Sequence, residues 1–237
     1  MREEGFYGSY EGDDRPTGQQ KHPVQLNPIA YLPMPDLTGE NSPVEKAWQN
    51  RYELTAEAKK PITLGWTFGE FALASVRMRD PHAFAKDLST LQLCRGADPR
   101  WIQMYESSFW TGWHLMKSYY LPMMGLWLQS YTDMLVQDWR RTIDLFACLM
   151  PEWKDKDIAF HGIHTKGGVE VDGRWSAGKF TITLTPAGGK EARVMVSQES
   201  TISVSGQKND IDSFEGFKEV TLEFDGEKPI ILEGKLL

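Results

Sequence analysis

The sequence predicts an α+β protein: a partial α/α helical barrel made of helical hairpins, followed by an antiparallel β-sheet or small β-sandwich. Three observations carry this expectation. Leu121 to Trp139 is apolar almost all the way round a helix, as in a segment covered on most sides by other helices. Before it, helical patterns are separated by proline-containing start signals and loops of a few residues, the pattern of helical hairpins. Beyond Pro151 the apolar period becomes two, that of a half-buried strand. The expected organisation is an irregular segment over 1–42, a helical domain over 43–141 and a β domain over 142–237.

Met1 to Gln20 is polar and aperiodic and reads as a mobile segment or long loop. His22 to Pro43 is rich in proline, which favours extended, turn-rich backbone anchored by Val24, Leu26, Ile29, Tyr31 and Leu32. Ser42-Pro43-Val44-Glu45 combines an N-cap, a proline at the first helical position and a capping-box glutamate. The helix it opens should run to about Lys59, with Val44, Ala47, Trp48, Tyr52 and Leu54 inward. A second helix from near Thr63 carries Leu64, Trp66, Phe68, Phe71, Leu73, Ala74 and Met78 and has little polar face. Asp80-Pro81 repeats the cap-then-proline signal for a short third helix. In the Leu121 helix, Met124, Trp127, Leu128, Tyr131, Met134 and Leu135 form the densest stripe, and Thr142 to Met150 is β-rich. Val169, Val171, Gly173 and Trp175 then share a strand face, as do Phe180, Ile182 and Leu184, across a hairpin turn at Ser176 to Lys179. A further strand lies around Val194 and Val196, and a last hairpin pairs VTLEF with PIILE across Asp225 to Lys228.

At 41% hydrophobic and 25% charged residues, the composition is that of an ordinary soluble globular protein. A net charge of −7 without a Lys/Arg cluster argues against a nucleic-acid partner. Gln129, Asp133, Gln137 and Asp138 interrupt the Leu121 helix, which argues against a membrane span. Cys94 and Cys148 lie in apolar runs and read as free core thiols. His161 and His164 lack a third ligand, so no metal is expected. Gly167-Gly168 and Gly188-Gly189 are turn glycines, and no phosphate loop or dinucleotide fingerprint implies a cofactor. Nine tryptophans serve either core packing or the stacking of sugar rings.

The order of the Leu121 helix, the LFACLMPEW strand with its proline exit, and FHGIHTKGGVEVDGRWSAGKFT carries a resemblance. It resembles the C-terminal end of the (α/α)6-barrel glycoside hydrolases with a β-sandwich tail, most closely the α-L-fucosidase group, glycoside hydrolase family 95. Met134 to Asp138, Leu145 to Pro151, Gly162 to Val171, Trp175 and Gly178-Lys179 stand in the places of that family's tail motifs, and the likeness covers about Leu121 to Thr185. It implies a carbohydrate partner and a chain that is the C-terminal third of a larger protein, or a degraded gene product. The rest of the barrel, or self-association, is then expected to cover its apolar helices. Where the family has a water-activating aspartate, this sequence has Leu121-Pro122-Met123-Met124, with no carboxylate, so the chain alone is expected to be inactive.

Glycoside hydrolysis needs an acid and a second carboxylate or base. Among Glu53, Glu70, Glu106 and Asp133, Glu106 is the expected acid, because it lies beside Trp101, Trp110, Trp113 and His114. Three segments are expected to converge into one wall of a sugar site, through Gln25, Asn27, Trp66, Trp110, Trp113, His114, Tyr119 and Tyr120. Glu70 either pairs with an arginine such as Arg77 or points into the barrel mouth. Asp133 shares a helical face with Gln129, which suggests a hydrogen-bond network. The other readings are a non-catalytic sugar-binding or scaffold remnant of the family, and an unrelated α+β interaction protein with its tryptophans in the core.

Overall fold

A computed structural model describes residues 26–31, 43–58, 65–93, 121–197, 200–205, 211–214 and 217–236. They form helices α1 (Asn27–Ala30), α2 (Pro43–Ala58), α3 (Gly65–Arg77), α4 (Pro81–Leu93) and α5 (Leu121–Leu135), followed by strands only, apart from a 3-10 turn at Pro151–Trp153. The class is therefore α+β. None of these helices is long and apolar enough to cross a membrane. The chain divides into two compact units, Met1–Asp133 and Met134–Leu237, and the division falls in the last turn of α5.

In the helical unit, α3 is the inner element and buries Phe68, Phe71, Ala72, Leu73, Ala74 and Val76. Arg79, in left-handed backbone, ends the turn after it; Asp80 N–H donates to Ser75 O and Arg79 N–H to Val76 O, so the last carbonyls are satisfied. The Asp80 carboxylate then caps α4 by accepting from Ala83 N–H at 2.8 Å. A Cβ on Gly69 would lie 2.8 Å from Leu126 Cδ1, so its absence lets α3 and α5 approach closely. Phe84, Trp127 and Tyr131 pack ring to ring between α4 and α5.

Two sequence expectations are corrected here. The proline-rich segment contains a helical turn, α1, with Leu26, Ile29 and Ala30 buried. Pro28 sits in its first turn, where a missing N–H removes no helical bond. The Leu121 helix is apolar nearly all round, yet among the described residues it leaves one arc open. Met123, Leu126, Trp127, Ser130, Asp133 and Met134 are buried, while Leu121, Pro122, Gly125, Leu128 and Gln129 are exposed. The buried stripe includes Met123 and Leu126 and excludes Leu128.

The helix also ends earlier than Trp139. The strand β1 (Val136–Gln137) follows directly and pairs with β2 (Ile143–Leu145), which satisfies its backbone groups across a turn. Next come β3 (Ile158–His164), β4 (Val169–Ser176), β5 (Lys179–Pro186), β6 (Glu191–Ser197), β7 (Ser200–Val204), β8 (Ile211–Phe214), β9 (Phe217–Glu223) and β10 (Ile230–Leu236). They make two five-stranded sheets, ordered β1-β2-β6-β9-β8 and β3-β4-β5-β10-β7. Pairing is antiparallel except between β2 and β6.

The β4–β5 hairpin turns at Ala177-Gly178, both at positive φ, and pairs Trp175 with Phe180 in register. Phe146 inserts its ring among Phe160, Trp175 and Phe180. The expected last hairpin is not formed. The Asp225 to Lys228 turn exists, but β9 pairs with β6 and β8, and β10 pairs with β5 and β7. Alternation fixed which side chains are buried, Val220 and Leu222 then Ile230 and Leu232, but not which strand each pairs with.

Candidate functional site

The site with unmet chemistry lies in the helical unit, along one stripe of α3. Trp66, Glu70, Leu73 and Arg77 follow at spacings of three and four and so share a face. Two elements meet this stripe. Ala30, Leu73 and Leu126 form a small core where α1 and α5 join α3, with Tyr31 and Trp66 against its edge. The Tyr31 and Trp66 rings are 6.1 Å apart and tilted by 35°, and both side chains are half-buried.

Glu70 is 1% exposed, and neither carboxylate oxygen has a hydrogen-bond donor among the described residues. Burial raises its pKa to about 8. The Trp66 indole, one turn back, pulls the other way by less and does not close a hydrogen bond of normal geometry. A neutral carboxylic acid results at pH 7, able to donate a proton or a hydrogen bond.

Arg77 does not neutralise Glu70. Its Nε donates to Asp133 Oδ2 at 2.9 Å and its Nη1 to the Ala30 carbonyl at 2.6 Å. Gln129 Nε2 donates to the other Asp133 oxygen at 2.5 Å, so the Gln129–Asp133 network is present and takes in the arginine. Guanidinium geometry favours this outcome, because one fork ties α1 to α5. Nearby, the Tyr52 hydroxyl donates to Asp87 at 2.6 Å, and burial, then the Asp87 charge, pushes that phenol well above its ordinary pKa.

Of the sequence-predicted site, the structure describes Asn27 and Trp66. Asn27 opens α1, and its carbonyl accepts from Tyr31 N–H at 2.8 Å, which sets the Tyr31 ring beside Trp66. Glu106, Gln25, Trp110, Trp113, His114, Tyr119 and Tyr120 lie outside the described residues. Trp48, Trp127, Trp139 and Trp175 are core residues, while Trp66 and Trp153 are half-buried.

In the β unit, His161 and His164 lie on the exposed face of β3, beside Asp172 at 3.5 Å and Glu170 at 3.3 Å. Such exposed pairs contribute little to stability. Among the described residues no group of three or more His, Cys, Asp or Glu side chains could hold a metal. Sequence reasoning missed a buried polar cluster between β1 and β2. Gln137 Oε1 accepts from Trp139 Nε1 at 2.9 Å, Arg140 lies 3.7 Å over the Trp139 ring, and Asp144 accepts from Thr142 at 2.6 Å. Arg140 Nη1 is 3.7 Å from Asp144, so the cluster is internally paired and holds the turn. Its only trace in the sequence is the polar run from Gln137 to Asp144. No family model matches this chain, and no curated protein gives a match.

Proposed function

We propose that this chain is the C-terminal portion of a carbohydrate-active glycoside hydrolase, in which α1 to α5 belong to an α/α barrel and the two sheets form its β-sandwich tail. Its part is one wall of a sugar site. The observation that supports this reading is the half-buried Tyr31–Trp66 pair, with rings 6.1 Å apart, at the edge of the small core where α1 and α5 join α3. A flat aromatic face is what the C–H face of a pyranose ring needs from a wall. The tail resemblance over about Leu121 to Thr185 supports the sugar class.

Titration of the chain with L-fucose and a fucosylated oligosaccharide, followed by tryptophan fluorescence and calorimetry, tests the reading. Binding is expected, and Trp66→Ala should weaken it about tenfold or more, since base- or sugar-scale stacking on an indole is worth ~1–2 kcal/mol. Absence of any saturable signal at millimolar sugar would overturn the assignment. The second reading, an α+β interaction protein without a sugar site, is favoured by the burial of Trp48, Trp127, Trp139 and Trp175. It predicts that Trp66→Ala leaves every sugar titration flat.

A further inference from the structure

The short helix α1 is seated on α3 across the position of a buried carboxyl. Trp66, Glu70, Leu73 and Arg77 form one stripe of α3. α1 meets that stripe on both sides of Glu70. The Tyr31 ring lies 6.1 Å from Trp66, one turn before the carboxyl. Ala30 joins Leu73, one turn after it, together with Leu126. The Ala30 carbonyl then accepts from Arg77 Nη1 at 2.6 Å, a further turn along. Ala30 and Tyr31 are consecutive residues, so the end of α1 straddles the place of Glu70 on the stripe.

Glu70 is 1% exposed, and neither of its oxygens has a donor among the described residues. An ionised carboxylate there would give up its water and gain no hydrogen bond in return. No neighbouring charge relieves it. α1 carries no charged side chain. The buried charges on the other helices are Arg51 of α2, Asp87 of α4 and Asp133 of α5. Asp87 accepts from Tyr52, and Asp133 accepts from Arg77 and Gln129. Among the described residues none of these charges acts on Glu70, where burial is opposed only by the Trp66 indole.

Water reaches an ionised Glu70 when an element leaves, and α1 is the element held least. It is a single turn of four residues, closed by one bond from Tyr31 N–H to the Asn27 carbonyl. Such a turn has no stability apart from what it packs on. α3, by contrast, is packed by α1, α4 and α5. We propose that α1 is a proton-controlled strap, closed across Glu70 while that carboxyl is protonated and lifted from α3 when the proton leaves. The sign follows from linkage. With the strap lifted, Glu70 ionises near its ordinary 4.5; with it closed, the proton is held to about 8. The closed state therefore binds more protons across that window. Each unit of rising pH favours the lifted state by up to about tenfold, and the gain ends above the upper value. The inference does not depend on the sugar reading, since it concerns how α1 is held and not what α3 binds.

The test is hydrogen exchange of the full chain at pH 5, 6.5 and 8, read by mass spectrometry on peptides covering 26–31. The native chain is compared with Glu70→Gln at each pH, so the intrinsic pH dependence of exchange cancels. The ratio of native to variant rates in α1 is expected to rise at least about tenfold from pH 5 to pH 8. Peptides covering α3 should keep a level ratio. Glu70→Leu, which removes the polar group as well as the titration, serves as a second reference and should give the same rise. A ratio in α1 that stays level against both variants would overturn the proposal. So would a rise that α3 shares in full, because that is unfolding of the helical unit and not movement of a strap.

Discussion

At the scale of single residues, Glu70 decides the most. In the unfolded chain its carboxyl loses a proton near the ordinary 4.5, whereas in the folded chain it holds the proton to about 8. Between those values the native state binds more protons, so stability falls as pH rises through that window and the full contribution is present only below it. At pH 7 the loss amounts to about 3 kcal/mol. Glu70→Gln keeps the shape without the titration. It should flatten the pH dependence and raise stability by about that amount at pH 7 relative to the native chain. Urea unfolding at pH 5, 7 and 9 measures it; parallel curves for the two proteins would refute the assignment. The sequence made Glu70 legible as an odd carboxyl on an apolar helix. It did not reveal its isolation, because the choice of Arg77 for Asp133 depends on a residue 56 positions away.

At the scale of elements, the β unit shows how closely fitted the sheet faces are. A Cβ on Gly173 of β4 would run into the Phe160 ring and lie 2.7 Å from Ile182 Cδ1. Gly173→Ala should therefore destabilise by about 1–3 kcal/mol through overpacking. Thermal unfolding checks this, and a shift smaller than a degree would mean that Phe160 moves aside freely. Periodicity found the faces of β4 and β5 correctly, since alternation is a local property of the backbone. It missed the separation of β9 from β10, because partner choice is settled by contacts distant in sequence. It placed the α5 stripe about one residue out of phase for a related reason. Trp127 and Met134 anchor the buried face, but Leu128 loses its place to Met123 and Leu126 where α3 closes in at Gly69.

At the scale of the whole molecule, the helical unit and the β unit each hold their own buried core. The described residues offer one buried acid of raised pKa, Glu70, and the Asp133 carboxylate is engaged by Arg77 and Gln129. Hydrolysis requires a second carboxyl as partner, and acid–base assistance alone contributes roughly 10²–10⁴-fold. On the glycoside hydrolase reading, with Leu121-Pro122-Met123-Met124 standing where that family has its water-activating aspartate, the chain by itself is expected to release no nitrophenol from an aryl α-L-fucoside above the uncatalysed rate. Turnover that survives in Glu70→Gln and is lost in Glu106→Gln would instead locate a working acid at Glu106. By itself the sequence determined the α+β order, the helix starts at Pro43 and Pro81, the strand faces, and the apolar character of α5. These follow from local rules, in which caps, prolines and side-chain periods act within a few residues. Only the tertiary structure decided the turn at α1, the isolation of Glu70, the Arg77–Asp133 tie, the division of β9 and β10 between sheets, and the open stripe around Gly125. Each of these depends on which segment distant in sequence packs against a given face, and close packing admits a single neighbour there.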